Sequence, residues 1–200
     1  NKPVRGRGFF RAAYYLPNVL SLVSVSIMWL WMYDPAKGVF NTILRAIGLP
    51  TSDWLLDPSI ALFSVIVPNI WAMLGFNMVI YLAGLQGIPD QYYEAARIDG
   101  ASDIKQFFKI TVPMLRTVSF FIFVVSTIKS FMVFDQIYVM TRGGPVKSTT
   151  TIAFEVYENG FQYFKMGYAA AMSFILLLIV ALITFVNFTY GKEGYGGEMT

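Results

Sequence analysis

Long apolar runs alternate with short polar stretches along this chain of 200 residues. Four runs reach the ~20 residues of helix needed to cross a hydrocarbon core of roughly 30 Å: about residues 14–33, 60–84, 117–140 and 167–190. Pro17 falls near the start of the first run, where a helix's first donors are free. Arg11 with its flanking aromatics reads as an interface anchor there, and Trp29, Trp31 and Tyr33 as the belt at the opposite surface. Pro68 in the second run predicts a kink near residues 64–68. Between these runs Val39, Ile43, Leu44 and Ile47 are spaced for a short amphipathic helix ended by Gly48 and Pro50. It lies either in the membrane interface or on the protein's own outer face.

The polar stretch 85–113, LQGIPDQYYEAARIDGASDIKQFFKITVP, has the grammar of two short helices. Pro89 suits the first turn of one, and Glu94-Ala95-Ala96-Arg97 continues it with good helix formers. Gly100 stands where a helix C-terminus wants a residue that tolerates positive φ. Ser102 and Asp103 then offer an N-cap and a first-turn acid for a second helix. Its apolar face is Ile104, Phe107 and Phe108, at i, i+3 and i+4. Pro113 disfavours helical geometry at Val112 and is expected to end it.

Glu94, Ala95 and Ala96, then three residues, Gly100, nine residues, Ile110 and Pro113 stand at the spacing of the cytoplasmic coupling motif of ABC importer permeases, which this segment resembles. Val112 replaces the motif's leucine. The runs FFRAAYYLPNV, FDQIYVMTRGGP and EVYENGFQYFKMGYAAAMS extend the likeness over nearly the whole chain, and look like the carbohydrate-uptake branch and its maltose-type first permease. The resemblance implies an all-α polytopic bundle, residues 1–200 as one transmembrane permease domain, in a bacterial or archaeal cell membrane. It also implies a second permease as a heterodimeric partner, two cytoplasmic ATPase subunits and an external substrate-binding protein. Permeases of this type have six spans with the coupling loop between the fourth and fifth. Here it follows the second, so two further spans are expected upstream; a four-span variant is the alternative.

Composition agrees with the membrane reading: 56% of residues are hydrophobic and 14% charged. Lys2, Arg5, Arg7, Arg11, Arg97, Lys105, Lys109, Arg116 and Lys192 belong to one side, and only Lys37, Arg45, Arg142, Lys147 and Lys165 to the other. The positive-inside rule makes both ends and the polar stretch cytoplasmic. That rule also accounts for the net charge of +3, leaving no case for nucleic acid as a partner. With no His or Cys, histidine-dependent proteolysis and cysteine-ligated metal sites are excluded. No G-x-x-x-x-G-K-[ST] loop is present, so ATP would be hydrolysed elsewhere. No catalytic residue, metal or cofactor is expected.

Lys129 is the most expensive residue to insert. It sits near the middle of the third run, where a lysine costs about 2.5–3.5 kcal/mol. On a regular helix Met132 and Gln136 share its face, and these three are expected to line the pathway or meet the second permease; the alternative is that Lys129 snorkels or pairs with an acid on another subunit. Asp135, about 120° away, is poorly placed to pair with it. The resemblance departs here, since relatives usually carry a small residue before the Ser-Phe pair. Asn69 and Asn77, about two turns apart, serve either interhelical hydrogen bonding or a polar pathway lining. Gly143, Gly144 and Pro145 read as a tight outer turn, which the resemblance places near the external gate. Gly167 and Ala171 form a small-residue pair expected to pack in the core. A secondary transporter, a non-transporting assembly subunit, or an importer of another solute class are the competing readings.

Overall fold

The computed structural model describes residues 6–193, and every regular element among them is helical. The first apolar run is broken. Helix α1 (Arg7–Val19) and helix α2 (Leu22–Met32) meet at 98° across Leu20 and Ser21. Pro17 therefore lies in the last turn of α1, not the first turn of a span, and the helix stops two residues beyond it. Trp29 and Tyr33 do not form a surface belt either: both are buried, and only Trp31 is exposed.

Helix α3 (Val39–Ala46) forms where the apolar spacing places it, and Gly48 follows it with φ +76°. It is pinned to the protein through Asn41, whose amide nitrogen donates to the carbonyls of Pro35 and Ser52 at 3.0 and 2.9 Å. The Asn41 side-chain oxygen accepts from the Ser52 N–H and the Trp54 indole at 3.1 and 3.0 Å. Ile43 and Ile47 remain exposed on its other side. Helix α4 (Ala61–Gln86) runs through the buried Pro68 as one element.

Two short helices, α5 (Asp90–Ile98) and α6 (Asp103–Gln106), make up the polar stretch. A π turn over Phe107–Thr111 leads into α7 (Val112–Met114) and, after Leu115, into α8 (Arg116–Phe131). Pro113 thus does not end the second helix. Val112 keeps helical geometry, with φ −62° and ψ −48°, and its N–H reaches back to the Phe107 carbonyl. That bond spans five residues instead of four, and the widened turn accommodates the proline ring with its missing donor.

The third run breaks as well, at Met132–Phe134, before α9 (Asp135–Met140). The Thr151 hydroxyl donates to the Val133 carbonyl at 2.9 Å, satisfying a backbone group that the break frees. Helix α10 (Ile152–Tyr157), a second π turn (Glu158–Gln162) and α11 (Met166–Glu193) complete the described chain.

Packing divides by depth. At one end α2, α4, α9 and α10 enclose Val25, Trp29, Tyr33, Val65, Ile137, Met140 and Phe154. Trp29 stands 5.9 Å from Trp71 and 5.7 Å from Phe40, ring to ring. At the other end α1 lies along α4, and Gly75 is the point of closest approach. A Cβ there would collide with the Tyr14 carbonyl oxygen and stand 2.8 Å from the Tyr15 Cα. Helix α11 leans on α8 through an edge-to-face pair, Phe120 and Phe188, at 5.5 Å. Most of its apolar surface, including Phe174, Leu178, Leu182 and Phe185, is uncovered. Such a surface suits hydrocarbon rather than water.

Candidate functional site

The polar stretch folds back on the ends of two long helices. Tyr81 donates its hydroxyl to Ser119 Oγ at 3.1 Å, joining α4 to α8. One turn further on, Gly84 lets them close: a Cβ there would lie 2.7 Å from Val118 and 3.0 Å from Leu115. The short helices are therefore carried on a rigid antiparallel pair.

Within the stretch, α5 ends as its glycine dictates. Gly100 has φ +73°, its N–H bonds the Arg97 carbonyl at 3.0 Å, and the Ala101 N–H bonds the Ala96 carbonyl at 2.9 Å. These two bonds form a Schellman cap. Ser102 then caps α6, its hydroxyl accepting from the Lys105 N–H at 3.4 Å. The two limbs are tied by Tyr93 and Thr111, whose hydroxyls are 2.9 Å apart, and by the buried Gln106, which donates to the Ala101 carbonyl at 2.8 Å. Neither tie is visible from periodicity, since Tyr93 and Thr111 lie 18 positions apart.

What the stretch presents outward is apolar. Ile98 is 87% and Ile104 73% exposed, with Phe107 and Phe108 more than half exposed or at half. The two phenylalanine rings meet edge to face at 5.1 Å. Glu94, Ala95, Gly100 and Pro113 are also exposed, while Ala96 and Ile110 are half-buried. No atom would obstruct a Cβ at Gly100 within 4 Å, so its only local requirement is the positive φ.

The residues expected along the pathway are not brought onto one face. Lys129, in the last turn of α8, is exposed and holds its ammonium 4.3 Å from the centroid of the Phe76 ring on α4. Met132 is 64% exposed, but Gln136 is 2% exposed, buried inside the chain. The i+7 argument fails there because the helix breaks at 132–134, between Lys129 and Gln136. Asn69 and Asn77 on α4 are half-buried, and the Asn77 side-chain oxygen is enclosed without a hydrogen-bond partner. Gly167 and Ala171 do not pack in the core: Ala171 is exposed and nothing lies within 4 Å of a Cβ on Gly167. Ala169 is buried instead, with a Cβ on Gly160 only 3.2 Å from its own.

The turn at Gly143, Gly144 and Pro145 is tightly specified. Gly143 is buried with φ +81°, and a Cβ on it would stand 2.7 Å from the Thr150 hydroxyl. The Gly144–Pro145 bond is cis. The buried Thr149 hydroxyl, 2.7 Å from that of Thr141, donates to the Gly144 carbonyl at 2.8 Å. Gly144 and Pro145 border a cleft of about 320 Å³ shared with Tyr33, Asp34 and Leu56. Lys147 donates to Glu155 at 3.0 Å, a bond that raises the ammonium pKa above its ordinary value.

Comparison with known proteins covers nearly all of the chain. A probable ABC transporter permease protein of Pyrococcus horikoshii is 42% identical over 197 residues, covering 98% of this chain and 66% of the relative. The sn-glycerol-3-phosphate transport system permease protein of Agrobacterium fabrum is 37% identical over 194 residues, and the lactose transport system permease protein of Rhizobium radiobacter 38% over 198. Each alignment covers 96% of this chain and 66% of the relative, so the chain spans just under two thirds of their length. The crystal structure of a bacterial ABC transporter involved in the import of the acidic polysaccharide alginate matches with a TM-score of 0.87 and 25% identity, over 96% of this chain and 68% of that one. The family described as "Binding-protein-dependent transport system inner membrane component" matches residues 4–191, and this chain, with its helical polar stretch between two long apolar helices, belongs to it.

Proposed function

We propose that this chain is the permease portion of an ATP-driven, binding-protein-dependent importer of a sugar, oligosaccharide or polyol phosphate. The observation that carries the reading is the exposed apolar face of Ile98, Ile104, Phe107 and Phe108, held on the ends of α4 and α8. An amphipathic helix with such a face is built to enter a partner's groove. Glu94, exposed on α5, is available to a cation beside that groove. Two cytoplasmic ATPase subunits are the partners this role requires, and a second permease completes the pathway. Their closure, felt through the polar stretch, shifts α4 and α8 between inward-open and outward-open arrangements, which is a population shift and requires no chemistry in this chain.

The carbohydrate class is supported by the solutes named for relatives, lactose, sn-glycerol-3-phosphate and alginate. The outer turn at Gly143, Gly144 and Pro145 is the proposed external gate, facing an external binding protein. The polar stretch is cytoplasmic in this proposal, as the distribution of Lys and Arg requires. The test is reconstitution of the full-length chain with its partners in vesicles. ATP hydrolysis should rise when the binding protein is loaded with a mono- or oligosaccharide or a glycerol phosphate. Uptake driven by an ion gradient without ATP would replace this reading with a secondary transporter.

A further inference from the structure

Among the described residues Lys129 is a cation without an acid. It lies 13 residues from Arg116 at the start of α8, and Phe76 lies 10 residues from Gln86 at the end of α4. At 1.5 Å per residue both are roughly 15–20 Å from the polar stretch, near half the depth of a hydrocarbon core of about 30 Å. The ammonium rests 4.3 Å from the Phe76 ring, and among the described residues no carboxylate pairs with it. Asp135, six positions on, lies beyond the break at 132–134.

A ring face beneath an ammonium offsets only part of the cost of holding it there. Cation–π contact is worth about 0.5–2 kcal/mol against an insertion cost of about 2.5–3.5 kcal/mol. The remaining donors of the ammonium are open: Lys129 is exposed, and among the described residues no oxygen accepts a hydrogen bond from it. An intramembrane ionisable residue of this kind marks a pathway.

We infer that Lys129 selects the charge of the solute: it receives the carboxylate or phosphate of an anionic carbohydrate during passage, with the Phe76 ring as its fixed support. This rests on the import reading above and adds to it the chemical class of the cargo. The ammonium suits this task as a compact donor of three hydrogen bonds on a flexible stem, able to meet either a carboxylate or a phosphate.

The experiment uses the complete reconstituted importer and two pairs of probes, sn-glycerol 3-phosphate against glycerol and digalacturonate against lactose. Wild type should import at least one anionic member. Lys129→Met should lower the ratio of anionic to neutral uptake about tenfold, as expected for loss of one charge-assisted hydrogen bond, with a raised KM for the anion. Lys129→Arg should hold the ratio within a few-fold. An unchanged ratio in the methionine variant, or a wild type that imports only neutral members, overturns the inference and leaves the import reading standing. Loss of the second permease from purified Lys129→Met complexes also overturns it, because the lysine would then serve subunit pairing. If wild type imports no probe of either pair in an ATP-dependent way, the carbohydrate import reading itself fails.

Discussion

At the residue scale, Gly100 and Asn41 are fixed by opposite physics. Gly100 needs only a left-handed backbone, φ +73°, and has open space where a side chain would go. A residue that tolerates that region should therefore be accepted better than one that does not. Gly100→Asn should retain most ATPase association, whereas Gly100→Val should cost the cap about 1–2 kcal/mol and weaken association measurably. Equal loss in both, read by co-purification, would show that the bulk of the side chain matters and not its backbone. Asn41 is the reverse case, a buried amide with four hydrogen bonds across the loops on either side of α3. Its sequence position inside an amphipathic pattern gives no warning of this, because the partners Ser52 and Trp54 come from a loop that follows. Asn41→Ala should destabilise the protein around α3 by about 2–4 kcal/mol through the donors and acceptors it strands. Thermal unfolding in detergent measures the loss, and ATPase docking should be untouched.

At the element scale, what could be read from the chain depended on how local the decisive force was. The ends of α5 and α6 follow from Gly100 and Ser102, whose own backbone and hydroxyl preferences suffice. The breaks at Leu20–Ser21 and Met132–Phe134 lie in runs whose average hydropathy still reads as a span, and the polar neighbours Asn18, Lys129, Asp135 and Gln136 do not by themselves mark where a helix stops. At least the second is held by a distant group, the Thr151 hydroxyl on the Val133 carbonyl. Pro113 misled for the complementary reason: a sound local rule was overridden by a wider turn. Gly75 is a contact of the same non-local type, because the obstacle is the backbone of α1. Gly75→Ala should separate α1 from α4 with little relief from side-chain motion. Faster proteolysis within α1 is the expected readout, and wild-type resistance would mean that the two helices do not meet this closely in the membrane.

For the whole molecule, much apolar surface is left uncovered, and two of its stretches call for different neighbours. On α11 it is broad and continuous, as a helix facing lipid or another span would be. On the polar stretch it is a small patch, with exposed Arg97, Lys105 and Lys109 close by in the sequence, a composition suited to a protein groove in water. Replacing Ile104 and Phe108 together with serine should leave expression and thermal stability within about 1 kcal/mol of wild type, because both side chains are exposed. ATPase stimulation should nevertheless fall at least tenfold. A matching loss of stability would mean that the patch is structural.

The π turn at Phe107–Thr111 links these scales through rotation. It holds one more residue than an α-helical turn, and one residue corresponds to about 100° around the axis. The azimuth of α8 relative to α5 and α6 therefore depends on the residue count through that turn. The length of that turn works as a phase dial: in the proposed import role it decides which side of α8, and so which bearing of Lys129, answers to a push received through α5 and α6.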